Sequence, residues 1–322
     1  MELDAKIYIA GHKGMVGSAI LRTLKKKGYL NLVYRTHSEL DLTNQKEVES
    51  FFEEEQPEYV FLAAAKVGGI AANIKMPADF LMQNLLIQCH VINSAYQHQV
   101  KKLLFLGSSC IYPKEAQQPL KEEALLTGLL EPTNEGYAVA KIAGLKLCEY
   151  YKKQYHANFI SVMPCNLYGY EDNFEEETSH LVPALIRRFH EAKIQQKEFV
   201  TVWGTGKVYR ELLFTEEMAE ACLYVMNHYE GETFLNLGYG EDFTVLEIAE
   251  IIKKVVGYKG KIQFDSSKPE GMVRKIVDSS KLRQMGWSPQ ISLEEGIRST
   301  YDWYVKHLNK KVAFETKEKR KG

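Results

Sequence analysis

Gly11-His12-Lys13-Gly14-Met15-Val16-Gly17 directly follows the apolar run Lys6 to Ala10 and opens into Met15 to Lys27, a segment with Ile20 and Leu24 on one helical face. Glycines three residues apart let the backbone turn tightly, approach a pyrophosphate closely and aim a helix N-terminus at its charge. Alone the string is also an ordinary strand-to-helix turn. Its position at the head of a strand-helix series is what predicts a dinucleotide site.

Outward from this turn, the apolar runs Leu32 to Thr36, Tyr59 to Ala65, Lys102 to Gly107 and Phe159 to Pro164 alternate with helical patterns such as Asp79 to Gln99 and Tyr137 to Tyr155. That rhythm predicts an α/β fold with a Rossmann-type doubly wound parallel sheet and a smaller, mostly C-terminal α/β substrate domain. The acidic stretch Tyr170 to Thr178 breaks the rhythm, as an insertion over a site would. The chain is then expected to return to the sheet through Arg210 to Met226 and Thr233 to Leu237, with further helices over Thr244 to Val256 and Leu293 to His307. The dinucleotide-binding domain is accordingly assigned to 1–169 and 210–238, a discontinuous second domain to 170–209 and 239–312, and a basic tail to 313–322.

The 322 residues are 45% hydrophobic and 26% charged, enough for a sizeable core, and a net charge of −1 provides no field to gather nucleic acid or an acidic membrane. Five cysteines without a C-x-x-C pair argue against a disulfide framework and a thiolate metal site, so no metal is expected. Met1 leads straight into a strand pattern, and no run reaches the ~20 apolar residues of a membrane span. A cytoplasmic protein acting on a small polar ligand is expected.

The end of the second strand ordinarily separates NAD from NADP, because an acidic side chain there binds ribose hydroxyls and repels a 2′-phosphate. Here it reads Arg35-Thr36-His37, and Lys13 lies in the glycine turn. Three potentially cationic groups favour NADP(H). Asp41 either accepts a hydrogen bond from the adenine amino group or caps a helix beginning near Thr43.

Tyr137 and Lys141 stand four residues apart, on one face of a helix. An ammonium beside a phenol is expected to lower its pKa from the ordinary value of ~10 and fit it for proton transfer. Ser108, at the carboxyl edge of the fourth strand, can hydrogen-bond a substrate carbonyl or serve as a turn cap. Ser109 is open to either role.

Four strings resemble the GDP-L-fucose synthases, a family of extended short-chain dehydrogenases/reductases. They are the glycine turn; Ala63-Ala64-Ala65-Lys66-Val67-Gly68-Gly69-Ile70; Leu106-Gly107-Ser108-Ser109-Cys110-Ile111-Tyr112-Pro113; and Glu131-Pro132-Thr133-Asn134-Glu135 before Tyr137. The resemblance runs from about Lys6 to the last helix. It implies epimerisation at C3 and C5 of GDP-4-keto-6-deoxy-D-mannose, then reduction at C4 by NADPH, in one site and in a homodimer. On this resemblance Ser108 and Tyr137 polarise the C4 oxygen, Cys110 is the base and His180 the acid. It also implies cofactor contacts from Gly11 to Gly17 (His12, Lys13, Gly14, Met15 and Val16 between them) and from Arg35, His37, Asp41, Ala63, Leu106, Gly107, Ser108, Ser109, Tyr137, Lys141, Pro164, Cys165, Asn166, Leu167 and His180. Arg188, Trp203, Arg210 and Glu270 match substrate-binding positions. Read without the resemblance, Cys110 and Trp203 are equally core residues, His180 a loop residue and Arg188 a surface charge.

The chain departs from that family at several positions. Lys13 and His37 replace common arginines. Gly136 replaces a frequent proline, which is expected to loosen the loop before Tyr137. Arg210 to Glu217 differs from the usual string, and Glu270 stands for aspartate. A 4,6-dehydratase of the same superfamily would resemble Thr-Asp-Glu after the fourth strand, where this chain has Ser109-Cys110-Ile111. A 4-epimerase would have no use for Cys110 and His180, and a regulatory protein that had lost catalysis would not retain Ser108, Tyr137 and Lys141 together.

Overall fold

The computed structural model describes residues 1–175, 178–268 and 272–318, with 309–318 described by backbone alone. Its first half alternates β1 (Ile7–Ala10), α1 (Met15–Lys26), β2 (Leu32–Val33), α2 (Gln45–Glu55), β3 (Tyr59–Leu62), α3 (Ile70–Lys75), α4 (Pro77–Gln97), β4 (Lys102–Leu106), α5 (Glu135–Tyr155) and β5 (Phe159–Pro164). Strands β1, β3, β4 and β5 are buried along their whole length, as a parallel sheet covered by helices on both faces requires. Then follow β6 (Asn166–Tyr168), α6 (Leu181–Ile194), β7 (Phe199–Trp203), β8 (Tyr209–Phe214), α7 (Thr215–His228), β9 (Leu235–Leu237), β10 (Asp242–Thr244), α8 (Val245–Val256), β11 (Lys261–Asp265), α9 (Ser280–Gln284) and α10 (Leu293–Glu318).

Six strands form a parallel sheet in the order β2-β1-β3-β4-β5-β9. The direction of winding reverses at β1, which opens a crevice at the carboxyl ends of β1 and β3, the usual ligand position in such sheets. The segment from Arg210 to Met226 does not return to this sheet as expected. Instead β8 pairs with β6 and β10 in a separate three-stranded sheet, and α7 turns back against α1, where Lys27 pairs with Glu220 at 3.0 Å. Only β9 rejoins, with Leu235 opposite Val162.

Local chemistry fixes the helix ends. Asn44 caps α2 by accepting from the Lys46 amide, so that helix starts after the expected Thr43. Thr244 and Glu247 form a reciprocal capping box on α8, which ends at Gly257 with φ of 75°. The buried apolar residues fall into two clusters, one around the main sheet and one built from α6, α8 and α10 around Phe189, Ile248, Ile252 and Ile297. Truncating Phe189, which is fully buried, should cost about 3–5 kcal/mol. The backbone of α10 continues past His307 into the residues assigned to the basic tail. Among the described residues no helix is long and apolar enough to cross a membrane.

Candidate active site

The three glycines of the first turn differ in what surrounds them. Gly11 has φ of +89°, and a side-chain carbon there would fall 2.7 Å from the Ala64 amide nitrogen, so β1 and the loop after β3 meet in backbone contact. A carbon on Gly17 would fall 2.2 Å from the Gly11 carbonyl oxygen, which seats the first turn of α1 on the strand end. At Gly14 it would meet only the Gly11 oxygen, at an ordinary 3.5 Å. The protein's own packing therefore does not demand glycine at 14, and the exposed backbone there is open to an incoming phosphate. The loop after β3 is held by Asn84, which accepts from the Lys66 amide at 2.9 Å and donates to the Lys66 carbonyl at 3.0 Å.

Beside this turn the expected cations are unequally placed. Lys13 is exposed, and His37 is exposed with its Nδ1 3.8 Å from Asp41. The Arg35 guanidinium instead turns onto Glu55, donates to the Tyr34 carbonyl and lies over Phe51. Asp41 accepts from the amide and hydroxyl of Thr43, a local turn and not the cap of α2. The His12 ring packs on Tyr34 with centroids 4.6 Å apart, and its Nδ1 is buried without a hydrogen-bond partner among the described residues.

Ser108, Cys110, Tyr137 and Lys141 come together where β4 ends and α5 begins. The Ser108 hydroxyl accepts from the Cys110 amide at 3.4 Å and lies near enough to the Tyr137 phenol to favour its charged form. Lys141, buried, donates to the Leu106 carbonyl at 2.7 Å, and burial lowers its pKa to about 8. Tyr137 departs from the expectation. Burial pushes its pKa well above the ordinary value, the nearby Cys110 adds to this, and the Ser108 hydroxyl opposes it. The phenol therefore holds its proton. Burial likewise pushes the Cys110 thiol up, against Lys275, Ser108 and Lys141, which all favour the thiolate.

Gly136 does not loosen the start of α5. A side-chain carbon there would fall 2.9 Å from the Pro77 carbonyl, so glycine permits a close contact between α5 and α4 that fixes Tyr137.

Lys275 carries no signal in the sequence, because it reaches the site only through tertiary structure. Its strap is pinned to β8: the Tyr209 amide donates to the Val273 carbonyl, the Glu211 amide to the Lys275 carbonyl and the Val277 amide to the Glu211 carboxylate. Burial pushes Glu211 up to about 7 although two backbone amides donate to it. Burial also depresses Lys275, which Cys110 and Cys165 stabilise as a cation.

His180 precedes α6 and is exposed, yet crowded enough that desolvation lowers its pKa. A carbon on Gly69 would lie 3.6 Å from the Thr178 carbonyl, so the segment leading to His180 reaches across to the loop after β3. Phe174 stacks on Trp303 and Tyr304 of α10 and anchors the same segment. Further out, Trp203 is 51% exposed, with Arg188 5.3 Å and Lys268 5.8 Å from its ring centre. This favours an exposed stacking platform over the core reading. Arg210 donates to the Met272 carbonyl at 2.7 Å. Glu270 lies outside the described residues.

A family model described as NAD dependent epimerase/dehydratase matches residues 7–238. GDP-L-fucose synthase 1 of Arabidopsis thaliana is 58% identical over 95% of this chain and 94% of its own length. GDP-L-fucose synthase of Escherichia coli (strain K12) is 52% identical over 95% and 98%. The chain belongs to the GDP-L-fucose synthase family. A solved GDP-mannoheptose C4 reductase from Campylobacter jejuni with NADP bound is 42% identical, covers 94% of this chain and 99% of its own, and superimposes with a TM-score of 0.87. This chain and that reductase thus share one fold over nearly their whole lengths, so the reaction has to be argued from the side chains of the site.

Proposed function

We propose that the chain converts GDP-4-keto-6-deoxy-D-mannose to GDP-L-fucose, by epimerisation at C3 and C5 followed by NADPH-dependent reduction at C4. One observation carries the reading: the Tyr137 phenol, which holds its proton, and the Cys110 thiol both stand close enough to Ser108 for its hydroxyl to favour the charged form of each. The glycine turn fits a dinucleotide, since Gly14 is open to a phosphate although the protein's packing does not require it. Bound NADPH supplies the hydride to C4.

The residues of the chain perform the remaining steps. A ketone at C4 acidifies the hydrogens on both neighbouring carbons, and Ser108 and Tyr137 stabilise the oxyanion of the resulting enolate. Cys110, as thiolate, removes those hydrogens, and Lys275 with Lys141 offsets the cost of charging a buried thiol. His180 returns a proton on the opposite face. In the reduction Tyr137 donates its proton to the C4 oxygen, for which a phenol that holds its proton is in the correct state. Arg188, Arg210 and Lys268 suit the diphosphate, and Trp203 can pack on the guanine.

Residues 1–169 with 210–238 hold the cofactor in this reading, and 170–209 with 239–312 the GDP-sugar. The exposed Met82 on α4 and Val139 and Tyr150 on α5 support a homodimer through a four-helix contact. Five free cysteines support a reducing cytoplasm. The test is incubation with GDP-4-keto-6-deoxy-D-mannose and NADPH, with the product read by NMR. GDP-L-fucose is expected, and a product reduced at C4 without inversion at C3 and C5 overturns the epimerase half.

A further inference from the structure

We propose that Glu39 is a specificity-determining residue for the cofactor: its carboxylate, folded back onto the end of β2, opposes the 2′-phosphate of NADPH and offers an acceptor to the adenosine ribose hydroxyls of NADH. This rests on the NADPH reading above. An acidic side chain at the end of the second strand is the usual mark of an NAD site, and the sequence has none at Arg35 to His37. The structure supplies one from further along. The amides of Glu39 and Leu40 both donate to the Thr36 carbonyl at 3.0 Å, closing a tight turn, and the Thr36 amide donates to Glu39 Oε2 at 2.7 Å.

That turn stands beside the phosphate loop. Tyr8 pairs with Val33, so the residues leaving β2 run alongside those leaving β1. The Glu39 carboxylate is held below the usual range, first by its bonds from Thr36 and then by Arg35 and Lys13, and it acts in return on His12. It is therefore an anion among the groups that would hold a 2′-phosphate. Arg35 is already engaged with Glu55, and Asp41 faces His37. His37 thus faces the Asp41 carboxylate, Lys13 stands within electrostatic reach of Glu39, and the preference for a phosphorylated ribose is narrowed.

Glu39→Gln removes the charge and keeps an oxygen for the Thr36 amide, so the turn is retained. The readout is calorimetric affinity for 2′,5′-ADP and for 5′-AMP, whose ratio cancels any general loosening because both share the adenosine and the 5′-phosphate. The substitution should raise the ratio in favour of 2′,5′-ADP by about fivefold at low salt, as expected for removing a unit charge a few ångströms from a phosphate in water, and added salt should shrink the gain. The ratio of NADPH to NADH affinity should move the same way. Glu39→Lys, which reverses the charge, should extend the effect. Unchanged ratios in both variants, with binding intact, overturn the role of Glu39. A wild-type chain that binds neither nucleotide overturns the cofactor reading itself.

Discussion

The ammonium of Lys141 donates to the carbonyl of Leu106 at 2.7 Å and lies 5.8 Å from the centre of the Tyr137 ring. One side chain thus ties α5 to the last residue of β4 and sets the Tyr137 phenol, the proposed acid, beside the strand end that carries Ser108. Lys141→Met leaves the Leu106 carbonyl buried and without this donor, which should cost about 1–3 kcal/mol of stability. The loss is read by chemical denaturation. A variant as stable as the wild type would show that the bond contributes nothing.

Tyr137→Phe should lower reduction by about 10²–10⁴, because the phenolic proton matters as charge develops on the C4 oxygen. NADPH affinity should be nearly unchanged. Single-turnover hydride transfer separates the two, and more than a tenth of wild-type turnover with chemistry rate-limiting would remove Tyr137 from the role of acid.

Tyr137, Lys141 and Ser108 were legible in the sequence because their spacing and their places at strand and helix ends are local properties. The glycine turn and the buried strands were legible for the same reason. What escaped depends on tertiary pairing. The period of β8 marks it as a strand but cannot say that it pairs with β6 and not with the main sheet. Arg35 reads as a free cation until Glu55 engages it, and Gly136 reads as slack until Pro77 is seen against it. Lys275 has no motif, and Glu39 becomes an acid at the end of β2 only through the turn at Thr36. The expected lowering of the Tyr137 pKa failed because pairing with an ammonium was weighed without the burial that dominates it.

The two half-reactions should respond to pH in opposite senses. Burial lowers Lys141 to about 8, so its charge is present below that value and lost above it. An ammonium beside the phenol eases transfer of its proton to the C4 oxygen, so reduction, measured as kcat/KM with a 4-keto sugar that needs no epimerisation, should fall as pH rises through about 8. Burial raises the Cys110 thiol, so thiolate is scarce near neutrality and solvent exchange at C3 and C5 should rise with pH across the same interval. Parallel profiles for the two steps would show that one group governs both.

Lys275 is the strongest influence that favours the Cys110 thiolate, and it stands on a strap that Glu211 holds to β8. Lys275→Met should raise the thiol further. Exchange at C3 and C5 should drop at neutral pH and recover at higher pH, whereas loss of a purely structural contact would lower it at every pH. Cys110→Ser supplies the comparison, since a hydroxyl cannot ionise in this range and its loss of exchange should not be recovered by base. Both variants retain Tyr137 and Lys141 and should still reduce some unepimerised 4-keto sugar, giving GDP-6-deoxy sugars other than GDP-L-fucose. NMR of the products formed in heavy water checks each step. Normal deuterium at C3 and C5 in Cys110→Ser would return the thiol to the core and leave the epimerisation without its base, and a pH-independent loss in Lys275→Met would reduce Lys275 to a contact that shapes the pocket.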